Sequence, residues 1–183
     1  GNYAFGYCSS LSSINLPLCE YVGGNAFRGC HSITSIDLPN CSYVGDNAFG
    51  WCSALSIVNL PLCEYIDGAF YSCISLTSID LPNCKSIDNE AFGNCSALQS
   101  VNLPLCEYLG FSTFIGCYSL TSVNLPNCSY VGTGIFYHCS ALQSIHLPKV
   151  IYFGSQVFYS AHIETLYFKV LFSRGKMRLS FIL

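Results

Sequence analysis

The sequence predicts a β-rich solenoid, a right-handed coil of about eight 22-residue units with parallel strands stacked in register, and three observations predict it. Phenylalanines recur at Phe5, Phe27, Phe49, Phe70, Phe92, Phe114, Phe136 and Phe158, 22 residues apart with a single interval of 21 between Phe49 and Phe70. Prolines at 17, 39, 61, 82, 104, 126 and 148 keep the same beat, each directly after an apolar triplet such as Leu76, Ile79 and Leu81. Cysteines from Cys8 to Cys139 fall 11 residues apart, with one step of 10 between Cys63 and Cys73, so each unit has two halves. A fixed period of this length marks a repeat array.

The parts of one unit follow in order. An 11-residue apolar period also suits a helical supercoil, but proline and glycine in every unit exclude it: they cost about 3 and 1 kcal/mol in a helix interior. Ser-Ile-Asp-Leu and Ser-Val-Asn-Leu instead alternate apolar and polar residues, the pattern of a short strand with one buried face, and proline ends it. One strand cannot bury its apolar face alone, so the units stack as rungs about 4.8 Å apart. Around one coil Ala26, Phe27, Cys30, Ile33, Ile36, Leu38, Cys41 and Val44 point inward, giving Phe-on-Phe and Cys-on-Cys columns. Glycines after Val22, Val44 and Val131 suit turns. The array covers residues 1–168, its last copy decayed around Ala161, Ile163, Leu166 and Phe168. Residues 169–183 abandon the repeat for mixed basic and apolar residues, the composition of a C-terminal cap or tail.

Composition excludes several classes. An apolar content of 51% with 9% charged residues is the opposite of a disordered chain, and a formal charge of −3 argues against a nucleic-acid binder. The apolar runs are only a few residues long, so no segment spans a bilayer as a helix. No signal peptide is visible, and a start at Gly1 fits a removed leader or a fragment of a longer array. Charge is segregated: residues 1–148 hold nine acids against Arg28 and Lys85, a balance of −7, whereas 149–183 hold Glu164 against five bases, a balance of +4.

The unit Ala48-Phe49-Gly50-Trp51-Cys52-Ser53-Ala54-Leu55, continued by Val58-Asn59-Leu60-Pro61, resembles the BspA-like class of leucine-rich repeats, whose pattern is A-F-x-x-C-x-x-L-x-x-I-x-L-P. The resemblance covers residues 3 to 154. It implies a curved leucine-rich-repeat solenoid of a kind found on the surfaces of host-associated bacteria and some protozoa, with roles in adhesion and host-protein binding. It brings no catalytic motif and no site residues, and extracellular or cell-surface location enters on the same ground.

Two outward rows are candidates for binding. The strand face presents Ser35, Asp37, Asn59, Ser78, Asp80, Ser100, Asn102, Ser122, Asn124 and His146. Its amides and carboxylates can link neighbouring rungs and keep an exposed sheet soluble, or they can line a recognition surface. The second half-unit presents a stripe of Tyr21, Tyr43, Tyr65, Tyr108, Tyr130 and Tyr152, interrupted by Ser86. Stacked phenols stabilise neighbouring rungs, and tyrosine is also enriched where proteins bind each other. Beside the stripe, Glu20, Glu64 and Glu107 occupy alternate rungs, which spaces like charges apart and marks exposure.

Thirteen cysteines form no C-x-x-C pair and no four-ligand cluster, so metal sites are not expected and buried free thiols are. Scattered disulfides between adjacent rungs are the alternative. His31, His138, His146 and His162 sit at unrelated positions of their units, and neither H-E-x-x-H nor G-x-S-x-G occurs, so the chain reads as non-enzymatic and without a cofactor. Asn40, Asn94 and Asn127 open N-C-S triplets, whose Cys and Ser belong to the repeat itself. The expected function is a protein-binding module for adhesion or host interaction. The alternative is a structural protein whose acidic first rung meets the basic end of another copy and propagates a filament by homotypic end-to-end contacts.

Overall fold

The computed structural model describes residues 1–168, and within them fourteen strands occur: β1 (Tyr21–Val22), β2 (Ser35–Asp37), β3 (Tyr43–Val44), β4 (Ile57–Asn59), β5 (Tyr65–Ile66), β6 (Ser78–Asp80), β7 (Ser86–Ile87), β8 (Ser100–Asn102), β9 (Tyr108–Leu109), β10 (Ser122–Asn124), β11 (Tyr130–Val131), β12 (Ser144–Leu147), β13 (Tyr152–Phe153) and β14 (Thr165–Phe168). All pairings are parallel, and residue pairs 22 apart lie opposite each other, as in Ser122 with Ser144 and Tyr21 with Tyr43. Across the shortened unit the offset is 21, pairing Tyr65 with Ser86, and it is 21 again between β12 and β14, pairing His146 with Tyr167. Each coil therefore carries two strands where the alternation predicts one. The Tyr-Val pair is too short to show a period of two, and only its register against the neighbouring rungs makes it a strand.

Odd-numbered strands form one continuous seven-stranded sheet, β1-β3-β5-β7-β9-β11-β13. Even-numbered strands form the other wall, but its ladder is split into β2-β4 and β14-β12-β10-β8-β6. The split falls between β4 and β6, the two rungs that flank the shortened coil. Seven rungs per wall are described beside the eight phenylalanines, because Ser13-Ile14-Asn15 of the first copy forms no strand and the second half of the last copy lies outside the described residues.

The inward set is the one the pattern predicts: Ala26, Phe27, Cys30, Ile33, Ile36, Leu38, Cys41 and Val44 are all buried, and their counterparts in later rungs join one continuous core. Phe5 to Phe158 form a single column, internal from Phe27 to Phe136 and opening to solvent at Phe5, with neighbouring ring centroids 5.2–6.0 Å apart and ring planes within 8° of parallel. Stacked rings of this kind add about 0.5–1.5 kcal/mol per pair beyond their burial. Backbone bonds reinforce the column at the same points, for the Phe27 amide donates to the Ala48 carbonyl and the Phe49 amide to that of Ala69, both at 2.8 Å.

The cysteines do more than fill space. In one column the thiols of Cys52, Cys73, Cys95, Cys117 and Cys139 donate to the carbonyl of the phenylalanine 24 or 25 residues earlier, at 3.1–3.2 Å. Each such carbonyl also accepts the amide of the cysteine three residues on, as Phe27 does from Cys30 at 3.2 Å, so both lone pairs are used. In the other column Cys41, Cys63, Cys84, Cys106 and Cys128 donate to the carbonyl two residues ahead, at 3.2–3.4 Å. A buried thiol is small enough for the tube and supplies the weak donor that alanine or valine lacks. Two of the three N-C-S triplets have a similar cause: the Asn40 and Asn127 side chains donate to the carbonyls of Pro17 and Pro104, one rung back, whereas Asn94 donates to the Tyr71 hydroxyl.

Truncation of the ring column should be costly. Phe92→Ala leaves a cavity between two stacked neighbours and lowers stability by about 3–5 kcal/mol in urea unfolding. The thiols should resist labelling. Burial lifts Cys52, Cys84, Cys95, Cys128 and Cys139 to about 12. In native protein at pH 8 a thiol reagent should therefore reach Cys8 and Cys19, the exposed and half-buried members, and leave the eleven buried ones until denaturant is added.

Candidate functional site

Both predicted rows turn outward. On the even-strand wall Ser35, Asp37, Asn59, Ser78, Asp80, Ser100, Asn102, Ser122 and Asn124 are exposed and His146 is half-buried. The polar row is internally bonded in pairs: Asn59 Nδ2 donates to Asp37 Oδ1 at 2.7 Å, and Asn102 Nδ2 to Asp80 Oδ1 at 2.8 Å. His146 Nδ1 lies 2.8 Å from Asn124 Oδ1, so the tautomer protonated at Nδ1 donates to it. Linkage between rungs is thus a function this row performs. One position breaks its polarity, since Ile57 stands where the other rungs carry Ser or Thr and is 63% exposed.

The tyrosine row lies on the odd-strand wall. Tyr21, Tyr65 and Tyr152 are exposed, and Tyr43, Tyr108 and Tyr130 are half-buried. Their rings stack at 4.8 Å for Tyr21 on Tyr43, 4.7 Å for Tyr108 on Tyr130 and 4.5 Å for Tyr130 on Tyr152. Leu18, Leu62 and Leu105 are exposed beside it on alternate rungs, each two residues before Glu20, Glu64 or Glu107. Where Ser86 interrupts the tyrosines, Lys85 bonds Glu64 of the preceding rung at 2.9 Å, both side chains remaining in solvent.

A third feature is absent from the sequence-based expectations. The loop after each odd strand reads Val-Gly-Asp-Asn-Ala-Phe at residues 44–49 and Ile-Asp-Asn-Glu-Ala-Phe at 87–92, but Ile-Asp-Gly-Ala-Phe at 66–70. The missing residue belongs between Asp46 and Asn89, and its place is a cleft lined by Asp46, Asn47, Trp51, Asp67, Gly68, Tyr71, Asn89, Glu90 and Phe111. Gly68 has φ +52°, and a Cβ there would lie 2.5 Å from Asp46 Oδ1, so glycine keeps the floor of the cleft open. In most rungs the residue after the odd strand is glycine because a side chain would meet the preceding loop: a Cβ on Gly45 would come within 2.8 Å of the Gly24 nitrogen. Asp67 and Asp88 take that position on and directly after the shortened loop.

The cleft carries excess negative charge. Burial first, and then the carboxylates of Asp46 and Asp88, hold Asp67 above the usual carboxylate range, partly offset by the Tyr43 hydroxyl, which donates to Asp67 Oδ2 at 3.3 Å. Trp51 stands over the cleft's edge with Arg28 on one side, the guanidinium carbon 4.3 Å from the indole ring, and Tyr71 on the other at 5.0 Å. The 21-residue interval was the visible signal for this site. Sequence alone shows only that one residue is missing, and the stacking of neighbouring loops is what turns the omission into a cleft.

The histidines are spread apart, as their positions in the repeat predict: His31 contacts Ser53 Oγ, His162 the Ser140 carbonyl, and His138 the rings of Tyr137 and Tyr159. Among the described residues no group of three or more His, Cys, Asp or Glu side chains is arranged to hold a metal ion, and no helix is long and apolar enough to cross a membrane. The expected cap or tail over 169–183 lies outside the described residues, as do four of the five bases of the filament alternative. The fifth, Lys149, donates to Asn127 Oδ1.

Comparison with known proteins gives consistent results. The family model for the BspA type leucine rich repeat region matches residues 1–68 and 64–174, with six copies. A solved leucine-rich repeat protein of T. pallidum is similar at 31% identity with a TM-score of 0.74, over 78% of this chain and 70% of the other. A leucine-rich repeat protein from Bacteroides ovatus aligns at 25% identity and TM-score 0.48, over 87% of this chain and 55% of the other. A leucine rich cell surface protein from Faecalibacterium prausnitzii aligns at 18% identity and TM-score 0.43, over 82% and 58%. No curated protein matches the chain.

The crowded carboxylates give a pH signature. Asp67 binds its proton more tightly folded than unfolded, so its contribution to stability is present at low pH and is lost as pH rises through the folded value. Asp67→Asn keeps an acceptor for Tyr43 and removes the repulsion. It should raise stability at pH 7 by roughly a few tenths of a kcal/mol, with no gain at pH 3, in parallel thermal melts.

Proposed function

We propose, from the premise that this chain belongs to the BspA type leucine-rich repeat family, that it is a non-enzymatic protein-binding module working outside the cell, on a surface or secreted, in adhesion to a host protein. The observation that carries the reading is the outward tyrosine row. Stacking fixes the rings before any partner arrives, so little rotamer entropy is lost on binding. It also leaves the rings partly in solvent, with only the Tyr43 hydroxyl taken up by Asp67, giving the mixed apolar and hydrogen-bonding surface enriched at the centre of protein interfaces. The exposed Leu18, Leu62 and Leu105 extend the apolar part, and Glu20, Glu64 and Glu107 border it. The even-strand wall supports the reading less, because its Asp37, Asp80 and Asn124 are already bonded to neighbouring rungs. Surface display and adhesion rest on the family resemblance.

Protein-coated beads challenged with an extracellular protein extract test the row. Replacement of Tyr108, Tyr130 and Tyr152 by Ser removes one stacked trio at the surface while the phenylalanine column stays intact. Capture should fall at least about tenfold with an unchanged circular dichroism spectrum, as expected when interface hot spots are truncated. Equal capture by the folded variant would remove the tyrosine row from the binding surface.

A further inference from the structure

We propose that the cleft left by the shortened coil is a recognition site for a cationic side chain, arginine or lysine, presented by a protein partner. The proposal rests on the reading of the chain as a binding module and adds the chemistry of the partner. The other coils of the same chain serve as the control. They build the same rung with Gly23, Gly45, Gly110, Gly132 and Gly154 where the cleft has Asp67 and the next rung has Asp88, so the fold does not call for carboxylates there. They also fill the loop position that is missing between Asp46 and Asn89. Departures from the repeat that cost nothing to avoid are thus gathered at one place: a missing residue, two aspartates in a glycine column, and the chain's single tryptophan.

What they form has the features a cation needs. Asp46, Asp67 and Glu90 supply negative charge, while Trp51, Tyr71 and Phe111 supply aromatic wall. A guanidinium or ammonium group is held by carboxylates in its plane and by the negative face of an aromatic ring above it. The chain contains its own example, for the Arg28 guanidinium already covers one face of Trp51. The nearby cations are otherwise engaged: Arg28 on Trp51 and Lys85 on Glu64 leave the cleft carboxylates without a basic partner among the described residues. An entering cation relieves the repulsion among Asp46, Asp67 and Asp88, so the site gains from the ligand in proportion to the charge it lacks. Trp51 itself is held at φ +58°, a backbone region a bulky side chain rarely adopts, and that conformation is what sets the indole beside the loop.

Because Trp51 is the only tryptophan, its emission reports the cleft. The probe is the capped peptide Gly-Arg-Gly, titrated at fixed ionic strength, with the citrulline peptide as its uncharged isostere. The arginine peptide should change the emission saturably with a Kd on the order of millimolar, the scale of one ion pair and one cation–π contact, and citrulline should not. Insertion of one Asn between Asp67 and Gly68 restores the 22-residue period and closes the cleft with every carboxylate kept. It should weaken the response at least about tenfold, and Asp67→Asn with Glu90→Gln should weaken it about fivefold or more. Should the insertion fail to fold, the carboxamide pair decides. A silent titration, equal binding of citrulline, or an undiminished response in the folded insertion or the carboxamide pair overturns the proposal. None of these outcomes touches Tyr108, Tyr130 or Tyr152, so capture along the tyrosine row stands or fails separately.

Discussion

The molecule depends on one constraint: parallel in-register hydrogen bonding places each residue directly over its counterpart one period away. Every column is therefore a row of like side chains, and the sequence has to be one in which like stacked on like is favourable. Phenylalanine satisfies this by offset stacking, cysteine by passing its thiol hydrogen to a carbonyl, and asparagine by donating to the rung before it. Charge does not satisfy it, since equal charges about 4.8 Å apart repel. Apart from Asp67 and Asp88 beside the cleft, the outward columns avoid repetition of charge accordingly. Asp37 is followed by Asn59 and Asp80 by Asn102, Glu64 is followed by Lys85, and glutamates recur on alternate rungs. The 44-residue superperiod in the sequence is the electrostatic consequence of a 22-residue backbone.

The same register explains the turns. Each coil bends through two residues of left-handed backbone, and among the described residues twelve of these sites hold a side chain, Tyr7, Trp51, Glu90 and His138 included. A non-glycine residue there costs about 1–2 kcal/mol in isolation. Hydrogen bonds to the adjacent loop fix the conformation regardless, as in the Asn25 amide donating to the Asp46 carbonyl and the Trp51 amide to that of Tyr71. Local preference is overruled because a rung cannot bend differently from its neighbours without breaking contacts on both sides.

The repeat length, the inward set and both outward rows are legible in the sequence because each is a column, and a column repeats. The phenylalanine and cysteine spacings alone place Phe27, Cys30 and Cys41 in the core. What escapes the reading lacks periodicity or length. A two-residue strand such as Tyr43–Val44 has no alternation to detect, and the role of each thiol depends on a carbonyl 24 or 25 residues away. The cleft escapes for another reason: it consists of an omission, and an omission has no residue to single out. Asp67, Tyr71 and Glu90 are unremarkable one by one and come together only because loops 21 or 22 residues apart are stacked.

Periodicity also limits what such a surface can recognise. A partner laid along identical rungs loses little by shifting one rung, about 4.8 Å, because the chemistry beneath it is unchanged. The tyrosine row by itself supplies affinity without position. Position has to come from a place where the repeat is broken, and four breaks lie together between residues 57 and 90: the shortened loop, the split of the even-strand wall between β4 and β6, Ser86 in the tyrosine row and Ile57 in the serine row; a further shortening by one residue separates β12 from β14. A cationic group seated among Asp46, Asp67 and Glu90 would fix one alignment of a partner on an otherwise uniform surface. The interruption then supplies what the array lacks, a single point of reference along its axis.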